Sequence, residues 1–387
     1  MPNLYGQPSF TLQTRSVRAA LASQGAMLAP VTFFADSGTP VQPYAIAPWA
    51  TEPPPPGLLP LLAALRGDFM CSAFGDNVET FRGVRVPPHG DTANQDWTLV
   101  DSRAASEGTS LRLRTDMPNQ GGRCVAMTTL LTGHNFVYQR HDFEGVAGPI
   151  NPGHHALLAC PTTALLSFSR YVLVGSSPAR STLPPGTARS RLTPGEIGAT
   201  LSALKCLDGS LMDVTAFPTV SGTDDVFLVC SDPTLTLAWS AATFPGLRYA
   251  WLALRNPRQL ASTLVWLSNG GRLEPPWNGR HGPVLGMEDM TGYFASGLNE
   301  SARSNLLNAR GIPTCLRAEP HVPLRIPYIQ GVVRIPADFD RIASIEPLPR
   351  SELLIQSESG IAVRTACRWE FLQEGVIAGL CEDEAER

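Results

Sequence analysis

Apolar residues in this chain come in short bursts rather than in long stripes. The runs "RYVLVGSS" at 170–177, "DVFLVCS" at 225–231, "LTLAWSAATF" at 235–244, "RYAWLALR" at 248–255 and "STLVWLSNGG" at 262–271 are apolar or alternating. Each is bounded by Gly, Pro, Asn, Asp or Ser, the pattern of strands separated by turns. The segment 106–116, "SEGTSLRLRTD", also reads as a strand. Helical signals are confined to two places. "TPGEIGATLSALKCL" at 193–207 predicts a short helix opened by Thr193, with Pro194 in the first turn and Glu196 following. "SARSNLLNARGI" at 301–312 predicts a helix closed by Gly311. Asn269-Gly270 predicts a tight hairpin. Many short strands and few helices predict an all-β chain, a large antiparallel β sandwich.

The same pattern predicts one domain over 1–387. The stretch "EPPPPGLLPLLAALRGD" at 52–68 is the strongest linker candidate. The apolar run after its prolines instead predicts a strap lying on the sheet, so residues 1–70 are read as N-terminal strands plus this strap. No repeat at a period of roughly 20–50 residues is visible. The acidic end, "CEDEAER", is read as a solvated tail.

Composition narrows the partners. The chain has 387 residues, 43% hydrophobic and 17% charged, with a net charge of −4. These values give no electrostatic reason to expect nucleic acid or an anionic membrane. No run approaches the ~18–20 apolar residues of a membrane helix, and the N-terminus has no charged start followed by an apolar segment. A monomer or homodimer is expected. Lys205 is the one lysine among the basic residues. The eight cysteines lack a C-x-x-C pair, as expected for buried, reduced thiols of a cytoplasmic protein without a zinc site.

Candidate chemistry comes from histidines and carboxylates. His134, His141 and His321 lie in polar or Pro-flanked segments and read as surface or satisfied residues, and His281 reads as loop. His89 sits on a Pro-bounded turn in "RVPPHGDTANQDWTL". His154 and His155, in "GHHALLACP", open an apolar strand, where adjacent side chains point to opposite faces. One of the two can therefore face a pocket, and a metal site made from both is geometrically poor. Glu288–Asp289 ends the apolar run "PVLGMEDM". It is either an acidic strand end in water or a carboxylate set in a partly dry pocket.

In their order along the chain, these pieces resemble the galactose mutarotase (aldose 1-epimerase) superfamily. His89 in "HGDTAN" matches that family's first histidine, His155 in "GHHALL" its second, Asp224 in "DDVF" its aspartate and Glu288 in "LGMED" its late glutamate. Two departures are plain. Ala156-Leu157-Leu158 follows the second histidine in place of Tyr-Phe-Asn, and the glutamate lies in a "GMED" context. Residues 1–70 match no part of the pattern. The resemblance implies a large antiparallel β supersandwich with a sugar-binding groove across one face.

It also implies a reaction, the interconversion of the anomers of a monosaccharide or sugar derivative. That requires a base for the anomeric hydroxyl and an acid for the ring oxygen, on opposite sides of the ring, with no metal or organic cofactor. Glu288 is the expected base, its pKa raised by partial desolvation, and His155 the expected acid. His89, Arg82, Asp224, His154 and Arg280 are expected to bind sugar hydroxyls, and Trp277 to offer the ring an apolar face. A phosphorylated sugar would call for clustered arginines, for which Arg82, Arg85 and Arg280 are the candidates. Two other functions stay open. One is a carbohydrate-binding protein on the same scaffold without turnover. The other is a carbohydrate lyase or hydrolase, for which Glu288 would need Asp224 or Asp225 about 5–10 Å away across a cleft.

Overall fold

The alternating runs become the strands of two antiparallel sheets in the computed structural model, which describes residues 1–178 and 189–381. The larger sheet has nine strands. Its middle is Ala238–Phe244, Tyr249–Arg255, Leu324–Arg334 and Phe136–Glu144, and it continues through Arg123–Leu131 and Gly108–Asp116 to Thr98–Ala105. The smaller sheet runs Tyr171–Ser176, Thr223–Ser231, Ser262–Asn269, Val284–Met290, then Gly153–His154 and Met70–Cys71. Ala156–Ala159 also pairs with Val284–Met290. The chain is thus all-β with a few short helices.

Strand alternation builds the layers. On Thr223–Ser231, Phe227 and Val229 enter the core cluster shared with Trp251, Tyr328 and Val332 of the larger sheet. Leu228 and Cys230 point the other way, into a second cluster with Leu264 and Trp266. That outer cluster takes in Leu61, Ala64 and Leu65, so the helix Pro60–Ala64 after the prolines packs on the smaller sheet. The back of the larger sheet is covered by Ile345, Leu353 and Ile355 of a three-stranded C-terminal sheet.

Three local expectations are corrected. Segment 193–207 contains no helix, because Gly195 and Gly198 take left-handed φ values of 77° and 87°. Its backbone instead pairs with the neighbouring strand, where Ser176 N–H donates to the Glu196 carbonyl. Segment 301–312 is broken. A helix Leu298–Ala302 stops at extended Arg303, and a 3-10 turn Asn308–Arg310 is closed by Gly311 at φ 77°. Asn269-Gly270 makes no two-residue hairpin; it opens a loop over 270–283 before Val284–Met290 returns beside Ser262–Asn269. The acidic tail beyond Cys381 lies outside the described residues.

Candidate active site

The outer face of the smaller sheet forms the floor of a cleft of about 1030 Å3. Even-numbered residues face it. Asp224, Leu264, Trp266 and Glu288 line it, joined by His89, His155, Arg272 and Trp277 from the flanking loops.

Glu288 is held by a gap in its own strand. A side chain at Gly286 would sit 2.6 Å from Glu288 Oε1 and 2.9 Å from Trp266 Cβ, so glycine leaves the space that the carboxylate occupies. His155 falls between the strands Gly153–His154 and Ala156–Ala159, with its N–H donating to the Phe69 carbonyl and its ring stacked on Phe69 at 4.7 Å. These two anchors bring His155 Nε2 to 3.4 Å from Glu288 Oε1, both side chains almost fully buried. The expectation of an acid and a base on opposite sides of a ring is revised: they are neighbours.

Desolvation sets their proton affinities. Burial raises the Glu288 carboxyl well above the ordinary carboxylate range, against the pull of Arg272. Burial, then His89, pushes His155 well below the ordinary imidazole range. The two directions favour a shared proton on Glu288 over one on His155, and groups this close titrate as a pair rather than singly.

His89 is presented by a strained turn. It takes φ 59°, and Gly90 follows at φ 78° against the Ser72–Ala73 backbone, where any side chain would collide. Asn77 ties the turn together by donating to the Ala73, Gly75 and Pro87 carbonyls. The His89 and His155 rings are 5.0 Å apart. Their buried Nδ1 atoms have no hydrogen-bond partner among the described residues. Burial, then Arg272, lowers His89 to about 4.

Asp224 accepts from Trp266 Nε1 at 3.0 Å and from Arg272 Nε at 3.3 Å. Burial raises its carboxyl despite Arg272. The Arg272 guanidinium lies 4.9 Å from the ring centres of both Trp266 and Trp277, a cation held between two aromatic faces. Arg272 was not among the expected residues. Its position depends on Gly271, where a side chain would strike the Thr223–Asp224 backbone at 2.3 Å. The double glycine of "SNGGR" was the available signal.

Not all expected residues meet in the cleft. His154 points to the opposite face. Its Nδ1 is 2.8 Å from Asp68 Oδ2 and its ring stacks on Tyr328 at 3.9 Å, deep between the sheets. Arg82 is exposed, its guanidinium over Phe81, and Arg85 is exposed too. Arg280 pairs with Glu52 outside the cleft, Nη2 to Oε2 at 2.7 Å. The side chains of His154, Arg82 and Arg280 are therefore corrected from sugar contacts to structural or surface groups. The three candidate phosphate-binding arginines do not converge here. His281, read as loop, is buried; its Nδ1 lies 2.8 Å from Ser268 Oγ and its ring backs Trp266. All eight cysteines are free, and Cys315 alone is not fully buried. Among the described residues, no cluster of three or more ligand-type side chains could hold a metal, and no helix is long and apolar enough to cross a membrane.

No protein-family model and no curated protein match the sequence. Solved structures do match. A GalM/aldose epimerase homologue from C. elegans is 12% identical, with TM-score 0.53, covering 85% of this chain and 100% of its own. The Slr1438 protein from Synechocystis sp. PCC 6803 is 15% identical, with TM-score 0.53, covering 86% of this chain and 100% of its own. The likeness is one of fold: the chain has the β supersandwich of the aldose 1-epimerase-like proteins, in a divergent sequence.

Proposed function

We propose that this chain is an isomerase of the aldose 1-epimerase type, interconverting the anomers of a sugar by acid/base ring opening. The observation that carries the reading is the 3.4 Å contact between His155 Nε2 and Glu288 Oε1 on the floor of a large cleft. The two reacting oxygens of a cyclic aldose are borne by one carbon, so neighbouring groups can serve both. In the form that has passed the pair's proton from Glu288 to His155, Glu288 takes the proton of the anomeric hydroxyl while His155 gives one to the ring oxygen. The bond from the anomeric carbon to the ring oxygen breaks, and a carbonyl forms. Rotation about the adjacent carbon–carbon bond and closure with the roles reversed give the other anomer. The pair holds one proton throughout, on Glu288 after opening and back on His155 after closure, and the scheme draws on no metal or cofactor.

The surrounding groups fit this use. His89, with its unpartnered Nδ1, and Asp224 would hold hydroxyls. Arg272 opposes the rise that burial imposes on the Asp224 carboxyl and holds that side chain in place, and Trp277 lines the cleft beside Arg272. A cytoplasmic location fits eight free thiols.

A second reading is a sugar-binding protein without turnover. It is favoured by Ala156–Ala159, a strand spent on pairing with Val284–Met290 and offering a ligand no polar side chain. Anomer exchange followed by NMR with several aldoses separates the two. An excess of exchange over the buffer blank supports the isomerase, and binding without any excess supports the second reading.

A further inference from the structure

We infer that the cleft takes an uncharged aldose bearing an apolar substituent away from its anomeric carbon. The inference rests on the proposed sugar site and adds the class of substrate.

Size comes first. The cleft volume of about 1030 Å3 stands at the top of the ~300–1,000 Å3 range that holds drug-sized ligands. A single hexose engaging His155, Glu288 and Asp224 leaves much of it unfilled.

Charge comes second. Among the described lining residues, Arg272 is the one cation. It is already committed to Asp224 and held between Trp266 and Trp277. The lining carboxylates include Asp76, Glu79, Glu274 and Glu300. Arg303, beside the mouth, is engaged with Glu79 and Glu300 at 3.7 and 3.5 Å. A phosphate brought here would meet these carboxylates and, among the described lining residues, no free bidentate donor.

The third observation concerns the rest of the lining. Leu59 and Leu62 of the strap contribute to it, with Val78, Val226, Leu207 and Pro194. Val78 and Leu207 are 51% and 64% exposed. Sugar hydroxyls pressed against such side chains would lose water and gain no partner, which is costly. An alkyl or acyl chain meets no such cost. Each methylene it takes out of water favours binding about fourfold.

The test compares glucose, glucose 6-phosphate and a medium-chain 6-O-acyl ester of glucose. NMR anomer exchange gives kcat/KM, and the fluorescence of Trp266 and Trp277 gives binding. The expected order is ester above glucose by about tenfold or more, and glucose above its phosphate. Leu207→Asp, at an exposed position where folding is spared, should cut the ester-to-glucose ratio several-fold. An ester no better than glucose, or a phosphate better than glucose, overturns the inference. If no sugar is turned over, tight binding of the ester over glucose leaves the inference standing while the isomerase reading falls. Equal binding of the two sinks the inference independently.

Discussion

Glu288 and Asp289 are consecutive residues that serve opposite sides of one sheet. Glu288 faces the cleft and approaches His155. Asp289 faces the interior between the sheets, 2.8 Å from Arg255 Nη1, and accepts from Thr263 Oγ1, Ser240 Oγ and Tyr328 Oη. His154 and His155 divide in the same way, one into the interlayer and one into the cleft. Strand geometry alone separates stability from chemistry here.

Asp289→Asn should therefore damage folding, not catalysis. Asp289 is fully buried and Arg255 is 1% exposed, and removing one partner of a buried pair costs about 3–5 kcal/mol. Urea unfolding should show a loss of that size, with kcat per folded molecule within a few-fold of wild type. A loss below about 1 kcal/mol would show that the pair does not hold the sheets together.

Gly286→Ala should disturb the acid/base pair without touching it chemically. The added methyl would lie 2.6 Å from Glu288 Oε1, so the carboxylate must move. A shift of about 1 Å at a reacting group can cost roughly 10²-fold. The expected result is a fall of that order in kcat with little change in KM. Wild-type kcat in the alanine variant would mean that the position of Glu288 is not fixed by Gly286.

Acid should destabilise the protein through its buried histidines. Burial, then Arg272, lowers His281 to about 3, below an unfolded value near 6.5. A depressed folded pKa gives stability that is complete above the unfolded pKa and is lost as pH falls toward the folded one. Between pH 6.5 and 5, His281 alone should remove about 1.5 kcal/mol. Glu288, raised by burial, acts in the opposite direction, so the measurement is a difference. The stability gap between wild type and His281→Gln should narrow by about 1.5 kcal/mol over that range. A constant gap would contradict burial of a neutral imidazole.

What could be read in the sequence was what alternation and order control. Strands at 225–231, 248–255 and 262–271 follow from apolar runs between turn residues, and their parity sends Asp224, Trp266 and Glu288 to one face. Arg272 escaped because its place depends on a close approach between Gly271 and Thr223, a tertiary contact with only a glycine as trace. The helix expected at 193–207 failed because two glycines with positive φ there serve sheet edges, outweighing the cap-like opening. Arg82 and Arg280 were nominated for charge and neighbourhood, and their directions are set by Phe81 and Glu52, which no local pattern reveals.

The central claim is that Glu288 and His155 form an acid/base pair, and anomer exchange by NMR tests it most directly. With an aldose that wild type turns over, Glu288→Gln keeps the shape of the side chain and removes its basicity. Exchange above the buffer blank should fall about 10²- to 10⁴-fold, with sugar affinity by tryptophan fluorescence close to wild type. His155→Asn should do the same. Equal exchange rates for Glu288→Gln and wild type would contradict the account.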